Sequence, residues 1–282
     1  MRIVLLTSFT MIAFAANSLL TRLAVETGSI DPNSFALIRV LSGAVVLASI
    51  LFLRGGKLQL FAPARFLGAA SLAAYMAGFS LAYLTLDAGL GALILFGVVQ
   101  MSMFAQGAVT GKRPTTRQLA GAALAFTGLL FALWPGNGGQ SDPVGAGFMV
   151  LAGLGWAAYT ISGRGTADPL AATTANFILC LPLLTVLIAG FVTHASLMGV
   201  GLAIVCGGIT SGLGYALWYR VLPRLQGNVA AVVQLSVPLI ALLGGGLLLG
   251  ETWTPMLLVA TVLVITGIAV AVISRSVPAD RK

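Results

Sequence analysis

Runs of mostly apolar residues, each long enough to cross a lipid bilayer as a helix, follow one another along the whole chain. A bilayer core of about 30 Å requires about 20 apolar residues per helix. We identify ten such runs, at residues 2–22, 32–53, 65–86, 89–110, 115–134, 144–163, 168–193, 197–222, 226–249 and 255–274. Charged residues make up 8% of the sequence, against about 25% in soluble domains. The sequence therefore predicts an all-α integral membrane protein.

Proline-containing pairs mark the start of several predicted helices. Asp31-Pro32 precedes the second run, Asp168-Pro169 the seventh and Thr254-Pro255 the tenth. Thr at the N-cap followed by Pro at the first helical position is a favourable helix start. These pairs separate neighbouring helices, and no soluble domain is predicted between them.

The two halves of the sequence repeat one another. Gly111-Lys112 and Gly250-Glu251 occupy matching turns, 139 positions apart, and Leu-Ala-Phe-Thr-Gly at 124–128 corresponds to Leu-Val-Ile-Thr-Gly at 263–267. Similarly, residues 13–22 align with residues 155–164. Internal repeats of this kind define the architecture of a chain. We therefore predict two five-helix repeats, residues 1–138 and residues 139–282.

The Lys and Arg residues predict the orientation of these helices. With ten spans, all of the 15 basic residues except Arg22 and Arg39 fall on one side of the membrane. Because cytoplasmic loops are enriched in Lys and Arg, both termini are expected in the cytoplasm. Five spans per repeat is an odd number, so the second repeat is predicted to insert upside down relative to the first. Inverted repeats recur in secondary transporters, where they open a central site to either side in turn.

These features resemble a known family. The Gly250-Glu251 turn before the last helix, the Pro238-containing ninth span and Arg39 in the second span are similar to the drug/metabolite transporter superfamily, and in particular to ten-span EamA-type exporters of aromatic amino acids. Val99 stands where the second repeat has Pro238, and Lys112 where many relatives carry Glu. The resemblance implies export of amino acids with aromatic or large apolar side chains, with the substrate cavity between the repeats.

Arg39 is the clearest ionisable residue inside a predicted span. A charged group in hydrocarbon is costly and usually marks a functional site. Arg39 could pair with a substrate carboxylate, or it could be structural, binding carbonyls or extending its side chain toward the interface. Its counterpart in the second repeat is Asn176, which is also polar and within a span. This correspondence favours an interior position for both.

Other polar and aromatic side chains are candidates for the cavity wall. Aromatic residues at helical spacing suit an amphipathic or aromatic solute, although residues near span ends can instead form an interfacial belt. Polar residues in spans can also simply join neighbouring helices. Besides Arg39 and Asn176, the predicted cavity residues are Asn17, Tyr75, Phe79, Phe96, Gln100, Trp156, Tyr159, Tyr215, Trp218 and Gln234.

Two prolines fall within predicted spans. Pro182 and Pro238 each remove a backbone hydrogen bond and are expected to kink their helices. We predict that they act as hinges for alternating access; the alternative is a static kink.

The remaining expectations concern what the sequence lacks. No acidic residue is predicted near mid-membrane, so proton coupling stays possible only through peripheral groups. The sequence contains no P-loop and no His/Cys cluster, so no cofactor, metal or enzymatic activity is expected. Basic residues lie in short loops, which indicates a lipid surface and not nucleic acid. We expect a secondary transporter of the bacterial inner membrane, a monomer or weak dimer. The alternatives are a broad drug or metabolite exporter and a non-transporting assembly protein.

Overall fold

The computed structural model describes residues 2–110, 115–132, 142–163, 166–221, 224–225 and 233–272. These residues form helices joined by short turns, with a single isolated bridge between Ile30 and Ala195 as their only β-type pairing. The first seven helices are α1 (Arg2–Glu26), α2 (Pro32–Leu53), α3 (Pro63–Ala82), α4 (Ala88–Val109), α5 (Thr116–Ala132), α6 (Pro143–Ser162) and α7 (Pro169–Ile188), the last followed by a 3₁₀ turn at Ala189–Phe191.

Two of the later helices change type along their length. Helix α8 begins as an α-helix at Leu197–Ile204, continues as a π-helix at Val205–Leu213 and ends as an α-helix at Gly214–Val221. Helix α9 is α-helical at Ser236–Gly244 and π-helical at Gly245–Leu249; α10 follows at Pro255–Val272. π-helical segments are rare and often lie at functional sites.

Six of the described helices, α1, α2, α4, α6, α7 and α8, are long and apolar enough to cross a membrane, and α9 and α10 are shorter apolar helices. Large apolar side chains such as Leu53, Val109 and Leu197 are exposed on the outer surface. Such a surface is stable in lipid and not in water. The chain is therefore an all-α, multi-pass membrane protein, as the sequence predicts.

The predicted helix starts are confirmed by their capping contacts. The Asp31 carboxylate accepts hydrogen bonds from the backbone N–H groups of Asn33 and Ser34, at 3.0 and 2.9 Å. Thr254 Oγ1 accepts one from Leu257 N–H at 3.1 Å. Side-chain acceptors of this kind satisfy backbone donors that the first helical turn leaves unpaired.

Some helix limits differ from the predicted runs. Helix α1 continues one turn beyond residue 22, to Glu26, and an i,i+4 ion pair between Arg22 and Glu26 supports this last turn. Helix α3 ends at Ala82, and residues 83–87 form the turn into α4. The predicted repeat boundary at 138/139 and the turn at 111–114 lie outside the described residues.

The interhelical contacts occur in related pairs. Helix α3 packs on α6 and α1 on α8; α4 packs on α6 and α1 on α9; α3 packs on α7 and α2 on α8. Helices α2 and α7, α4 and α9, and α5 and α10 also pack together. Exchanging α1–α5 with α6–α10 converts each of the first six contacts into its partner and each of the last three into itself. Side chains of α1, α3, α4, α6 and α8 meet inside the bundle.

Glycines allow the closest of these helix crossings. A Cβ on Gly207 in α8 would collide with the carbonyl oxygen of Arg39 and the hydroxyl of Ser42 in α2. A Cβ on Gly121 in α5 would lie 2.5 Å from the carbonyl oxygen of Gly267 in α10. Close backbone approach through small residues is the usual way in which membrane helices associate.

Candidate functional site

A narrow cavity of about 20 Å³, with room for little more than one water molecule, lies within the helix bundle. Its lining side chains come from α1, α3, α4, α6 and α8, and six of the nine are aromatic. We call it the central cavity. Its lining residues are Phe14, Asn17, Ser18, Tyr75, Phe79, Leu95, Phe96, Trp156 and Tyr215.

Trp156 is the hub of the aromatic wall. Its ring centroid lies 5.0 Å from that of Tyr75, 5.1 Å from that of Tyr215 and 5.5 Å from that of Tyr159, on which it stacks. Phe14 packs edge-on against Trp156 at 6.4 Å. Rings from both halves of the chain therefore form one surface, and offset or edge-on packing of this kind is favourable.

Arg39 lies beside this aromatic wall and is completely buried. Its Nε donates a hydrogen bond to Ser211 Oγ at 3.1 Å, and its Nη2 donates one to the Tyr75 hydroxyl oxygen at 3.1 Å. The guanidinium carbon also lies 4.8 Å from the ring centroid of Phe79 and 5.5 Å from that of Tyr75. Arg39 therefore sits behind two cavity-lining rings and does not itself line the cavity.

The charge of Arg39 has no carboxylate partner among the described residues. The ion pairs found there all belong to Arg22, and the Nη1 atom of Arg39 makes no hydrogen bond within that part of the chain. A buried charge without a counterion is strongly destabilising. Cation–π contacts offset part of that cost. The site as it stands therefore favours an anionic group.

Asn17 joins α1 to the π-helical part of α8. Its Oδ1 accepts hydrogen bonds from Thr210 Oγ1 at 2.7 Å, Ser211 Oγ at 3.0 Å and Cys206 Sγ at 3.3 Å. Because Ser211 also receives the Arg39 hydrogen bond, Asn17, Ser211 and Arg39 form one continuous polar chain next to the central cavity. This chain fixes the irregular segment of α8 in place.

The structure brings together six of the twelve predicted cavity residues as lining side chains. They are Asn17, Tyr75, Phe79, Phe96, Trp156 and Tyr215. Tyr159 and Trp218 lie one layer out: Tyr159 donates a hydrogen bond to Thr173 Oγ1 at 3.3 Å, and Trp218 packs on Phe14 with ring centroids 6.0 Å apart.

Asn176, Gln100 and Gln234 are not among the lining residues of the cavity. Asn176 is buried on α7, against Gly68 of α3. Gln100 is buried on α4, and Gln234 is half-buried just before α9. Neither glutamine lines the cavity. Of the proposed hinges, Pro182 lies inside α7, whereas Pro238 is the third residue of the α-helical part of α9, close to a turn at residue 235.

Sequence analysis did not single out Phe14, Ser18 or Leu95 as lining residues. The repeat alignment carried a signal for Phe14, because it matches Trp156 at an offset of 142 positions, and the two rings are in contact. Ser18 and Leu95 give no comparable signal, since such residues are common throughout membrane helices.

A cluster of charges closes one end of the bundle. Arg22 Nη2 lies 3.1 Å from Glu26 Oε1 and 3.4 Å from Asp87 Oδ1, and its Nε lies 3.9 Å from Glu251 Oε1. Glu251 Oε1 also accepts a 2.6 Å hydrogen bond from the N–H of Ala88. We call Arg22, Glu26, Asp87 and Glu251 the Arg22 network. It ties α1 to the α3–α4 turn and the α9–α10 turn.

Burial sets the acidity of this network. Burial raises the pKa of Glu251 above 4.5, although the N–H of Ala88 and the charge of Arg22 act in the opposite direction. Burial likewise raises the pKa of Asp87 above 3.8, with Arg22 opposing the rise and Glu26 adding to it. For both carboxylates, the desolvation cost of the ionised form is thus larger than the stabilisation of that form by hydrogen bonds and ion pairs.

A second set of contacts closes the same end. Asp31 Oδ2 accepts hydrogen bonds from the N–H groups of Thr193 and His194, at 3.2 and 3.1 Å, which joins the α1–α2 turn to the α7–α8 turn. Burial acts to raise the pKa of Asp31, but hydrogen bonds from Ser34, His194 and Thr193 outweigh it and lower that pKa below 3.8. Asp142 accepts a further hydrogen bond, from Thr85 Oγ1, at 2.9 Å.

The opposite end of the bundle has a crevice of about 400 Å³. Asp31 and Arg54 flank opposite ends of α2, so this crevice and the Arg22 network lie at opposite ends of the molecule. The crevice is lined by Arg54, Asp168, Pro169, Leu170, Ala216 and Arg220. Among the described residues, contacts thus join the turns at one end of the bundle, and a crevice lies at the other.

A multi-pass bundle with an internal cavity and one closed end is typical of membrane transporters. Residues 143–273 match the EamA-like transporter family. A Pseudomonas aeruginosa protein described as uncharacterized is 46% identical over 279 residues, which cover 97% of this chain and 96% of that protein. The second half of the chain thus carries an EamA-like transporter domain.

More distant relatives carry functional names. A probable amino-acid metabolite efflux pump of Salmonella typhimurium is 27% identical, over 66% of this chain and 68% of that protein. A probable terminal-alkyne amino-acid exporter of Streptantibioticus cattleyicolor is 27% identical, over 71% of this chain and 69% of that protein. A crystal structure that is 20% identical shares the fold, with a TM-score of 0.67, over 94% of this chain and 98% of that one.

Proposed function

We propose that this protein is a secondary transporter that exports small amphipathic metabolites across the bacterial inner membrane. Amino acids with aromatic or large apolar side chains are the leading substrate class. The observation that carries this proposal is the buried guanidinium of Arg39, which has no carboxylate partner among the described residues and lies against the wall of an aromatic cavity. A solute with one carboxylate and one apolar group complements both parts of the site.

Tyr75 links the charge of Arg39 to the cavity. The Tyr75 oxygen accepts a hydrogen bond from Arg39, so the phenolic proton is available for donation to another acceptor. A neighbouring positive charge strengthens that donor. We expect the substrate carboxylate to accept this proton, and to come closer to Arg39 Nη1 when the Tyr75 ring moves. The aromatic rings of Trp156 and Phe14 would hold the apolar part of the solute.

The relatives support this substrate class. The Salmonella and Streptantibioticus proteins are named as exporters of an amino-acid metabolite and an amino acid. The moderate identity and the aromatic wall favour substrates of the same general kind, with a carboxylate beside an apolar side group.

The paired helix contacts support ten spans in two inverted repeats. Gly207 of the second repeat faces Arg39 of the first. Gly68 of the first repeat, 139 positions before Gly207, faces Asn176 of the second. With both termini in the cytoplasm, the Arg22 network would close the outer end and the crevice would face the cytoplasm. Transport would then proceed by alternating access, with Pro182 and Pro238 as hinges while the two halves rock. We expect a monomer or weak dimer.

A broad drug or metabolite exporter is the alternative within this family. The uncompensated charge of Arg39 argues against cationic drugs, because a cation in the cavity would be repelled at short range and low dielectric constant. Proton coupling would act through the peripheral carboxylates of the Arg22 network. A non-transporting assembly protein would tolerate an uncharged residue at position 39.

Counterflow of labelled amino acids into proteoliposomes, with and without a pH gradient, tests the proposal. We expect saturable exchange of phenylalanine, tryptophan or methionine by the wild type, and its loss in Arg39→Ala. Arg117→Ala is the matched control, because Arg117 is an exposed residue near the start of α5. Folded, inserted protein that exchanges none of these amino acids would refute the substrate class.

A further inference from the structure

We propose that the central cavity recognises the carboxylate of its solute and not the ammonium group. Aromatic carboxylates whose amino group is absent or acylated would therefore bind more tightly than the free amino acids. This inference rests on the proposed function and narrows its substrate class to organic anions with one apolar group.

The first argument is the distribution of charge. The acidic residues of the described part of the chain lie at helix ends and in turns, and none is a lining residue of the central cavity. They are Glu26, Asp31, Asp87, Asp142, Asp168 and Glu251. Arg39 is the ionised group next to the cavity. An ammonium group entering this site would lose its hydration and gain no counterion.

The second argument is the supply of hydrogen-bond acceptors. An ammonium group carries three N–H donors that need acceptors. Asn17 Oδ1 is the amide acceptor on the cavity wall, and three donors lie within hydrogen-bond distance of it, from Thr210, Ser211 and Cys206. An amide oxygen has only two lone pairs, so these donors already occupy it. The side-chain acceptors left for an ammonium group on the cavity wall are the neutral hydroxyl oxygens of Ser18, Tyr75 and Tyr215, and that of Tyr75 already accepts from Arg39.

The third argument concerns the aromatic faces, which could otherwise hold a cation. The rings of Phe79 and Tyr75 already lie against the guanidinium of Arg39. A second cation on the same rings would be attracted less strongly, because each ring already makes a cation–π contact, and it would be repelled by the Arg39 guanidinium. The rings are thus better suited to the apolar part of the solute.

The structure also gives the size of the effect. Arg39 Nη2 lies 3.1 Å from the Tyr75 hydroxyl oxygen, so a carboxylate that accepts the Tyr75 proton is about 7 Å from the guanidinium carbon. At an effective dielectric constant of about 20, a unit charge at that distance changes an equilibrium constant about fiftyfold. A zwitterion loses part of this gain because its ammonium is repelled, and we expect a difference of about tenfold between anion and zwitterion.

Competition in proteoliposomes that exchange labelled phenylalanine tests this inference. The competitors are phenylalanine, phenyllactate, N-acetylphenylalanine and phenylalanine amide. Phenyllactate is the closest match to phenylalanine, because a hydroxyl replaces the ammonium at nearly the same size. We expect half-maximal inhibition by the two anions at about one tenth of the phenylalanine concentration, and by the cationic amide at about ten times that concentration.

Variants at position 39 test whether the charge of Arg39 causes the preference for phenyllactate over phenylalanine. In Arg39→Gln the ratio between phenyllactate and phenylalanine should fall to about one, since the charge is gone. Arg39→Lys should keep the order of competitors, and Arg117→Gln should keep both order and ratio. Arg39→Lys also serves if Arg39→Gln fails to fold.

The outcomes separate this inference from the proposed function. Phenylalanine exchange in which phenylalanine competes better than phenyllactate would overturn the inference and leave amino-acid transport intact. Labelled phenyllactate is exchanged in parallel: exchange of phenyllactate without phenylalanine would support the inference and refute amino acids as substrates. Exchange of neither by folded protein would refute both.

Discussion

The contact between Glu251 and the start of α4 gives a sharp test of what keeps one end of the bundle closed. Glu251 Oε1 accepts a 2.6 Å hydrogen bond from the N–H of Ala88, while its distance to Arg22 Nε is 3.9 Å. Burial raises the pKa of Glu251, so the ionised form is on balance disfavoured there. We therefore expect that the acceptor oxygen, more than the negative charge, holds the α9–α10 turn in place.

The substitutions Glu251→Ala and Glu251→Gln separate these two contributions. Alanine removes the acceptor and leaves the Ala88 N–H without a partner, which costs about 2 kcal/mol. This loss shifts the equilibrium between closed and open forms about thirtyfold toward the open form. Glutamine keeps a carbonyl oxygen for Ala88, so the closed form should persist.

Labelling of a cavity cysteine measures the shift. Ser18→Cys places a thiol in the wall of the central cavity, where Ser18 is 2% exposed. A membrane-impermeant maleimide is added from the outer side of cells, with the parent protein showing the background from Cys180 and Cys206. We expect much faster labelling in Glu251→Ala and little change in Glu251→Gln. Equal acceleration in both variants would refute the reasoning, because it would show that the charge is what matters.

The same contact predicts a pH dependence. In the closed form the pKa of Glu251 is raised above its ordinary value of 4.5, which the open, solvated form should retain. The closed form therefore binds the proton more tightly, and acid stabilises it: the gain is complete below about pH 4.5 and is lost as the pH rises through the raised pKa. Because acid also lowers the reactive thiolate fraction, the labelling rate of Ser18→Cys is divided by its rate in the Ser18→Cys, Glu251→Gln double variant at each pH. This ratio should fall as the pH falls, and a ratio that rises in acid would contradict the assigned direction.

Three further predictions concern stability and affinity. Gly207→Ala should destabilise the protein by about 1–3 kcal/mol, measured as a lower melting temperature in detergent, because its Cβ would meet the carbonyl oxygen of Arg39. Gly201→Ala should leave the melting temperature unchanged, since nothing lies within 4 Å of a Cβ at that position. Asp31→Asn should destabilise the protein at neutral pH and not in strong acid. The pKa of Asp31 is lowered, so the contribution of its carboxylate to stability is present above about pH 3.8 and is lost as the pH falls through the lowered pKa. Equal melting temperatures of the wild type and Asp31→Asn at pH 7 would contradict this. Trp156→Ala should weaken half-saturation for aromatic solutes about tenfold by loss of ring contacts, and unchanged half-saturation would remove Trp156 from the site.

Much of the architecture is predictable from the sequence because the membrane limits the possibilities. Apolar runs of helical length specify helices, and the Asp-Pro and Thr-Pro pairs specify their starts, as the hydrogen bonds of Asp31 and Thr254 confirm. The π-helical segment of α8 was not predictable. It depends on the close contact of Gly207 with α2 and on the hydrogen bonds at Asn17, which are tertiary features.

The candidate site is predictable in part. Helical spacing and the repeat predicted Tyr75, Phe79 and Trp156 as cavity residues, because aromatic residues near polar ones are recognisable in an otherwise apolar chain. The position of Arg39 behind those rings depends on how α2, α3 and α8 meet, and no local pattern contains that information. The Arg22 network likewise joins residues from three separate parts of the chain.

The central claim is that the unpaired charge of Arg39 creates an anion-binding site beside the aromatic cavity. Equilibrium binding of labelled phenylalanine and labelled phenyllactate to the purified protein tests it most directly. We predict saturable binding by the wild type and Arg117→Gln, and binding at least about tenfold weaker by folded Arg39→Gln. Equal affinity of the wild type and Arg39→Gln for both solutes would contradict the account.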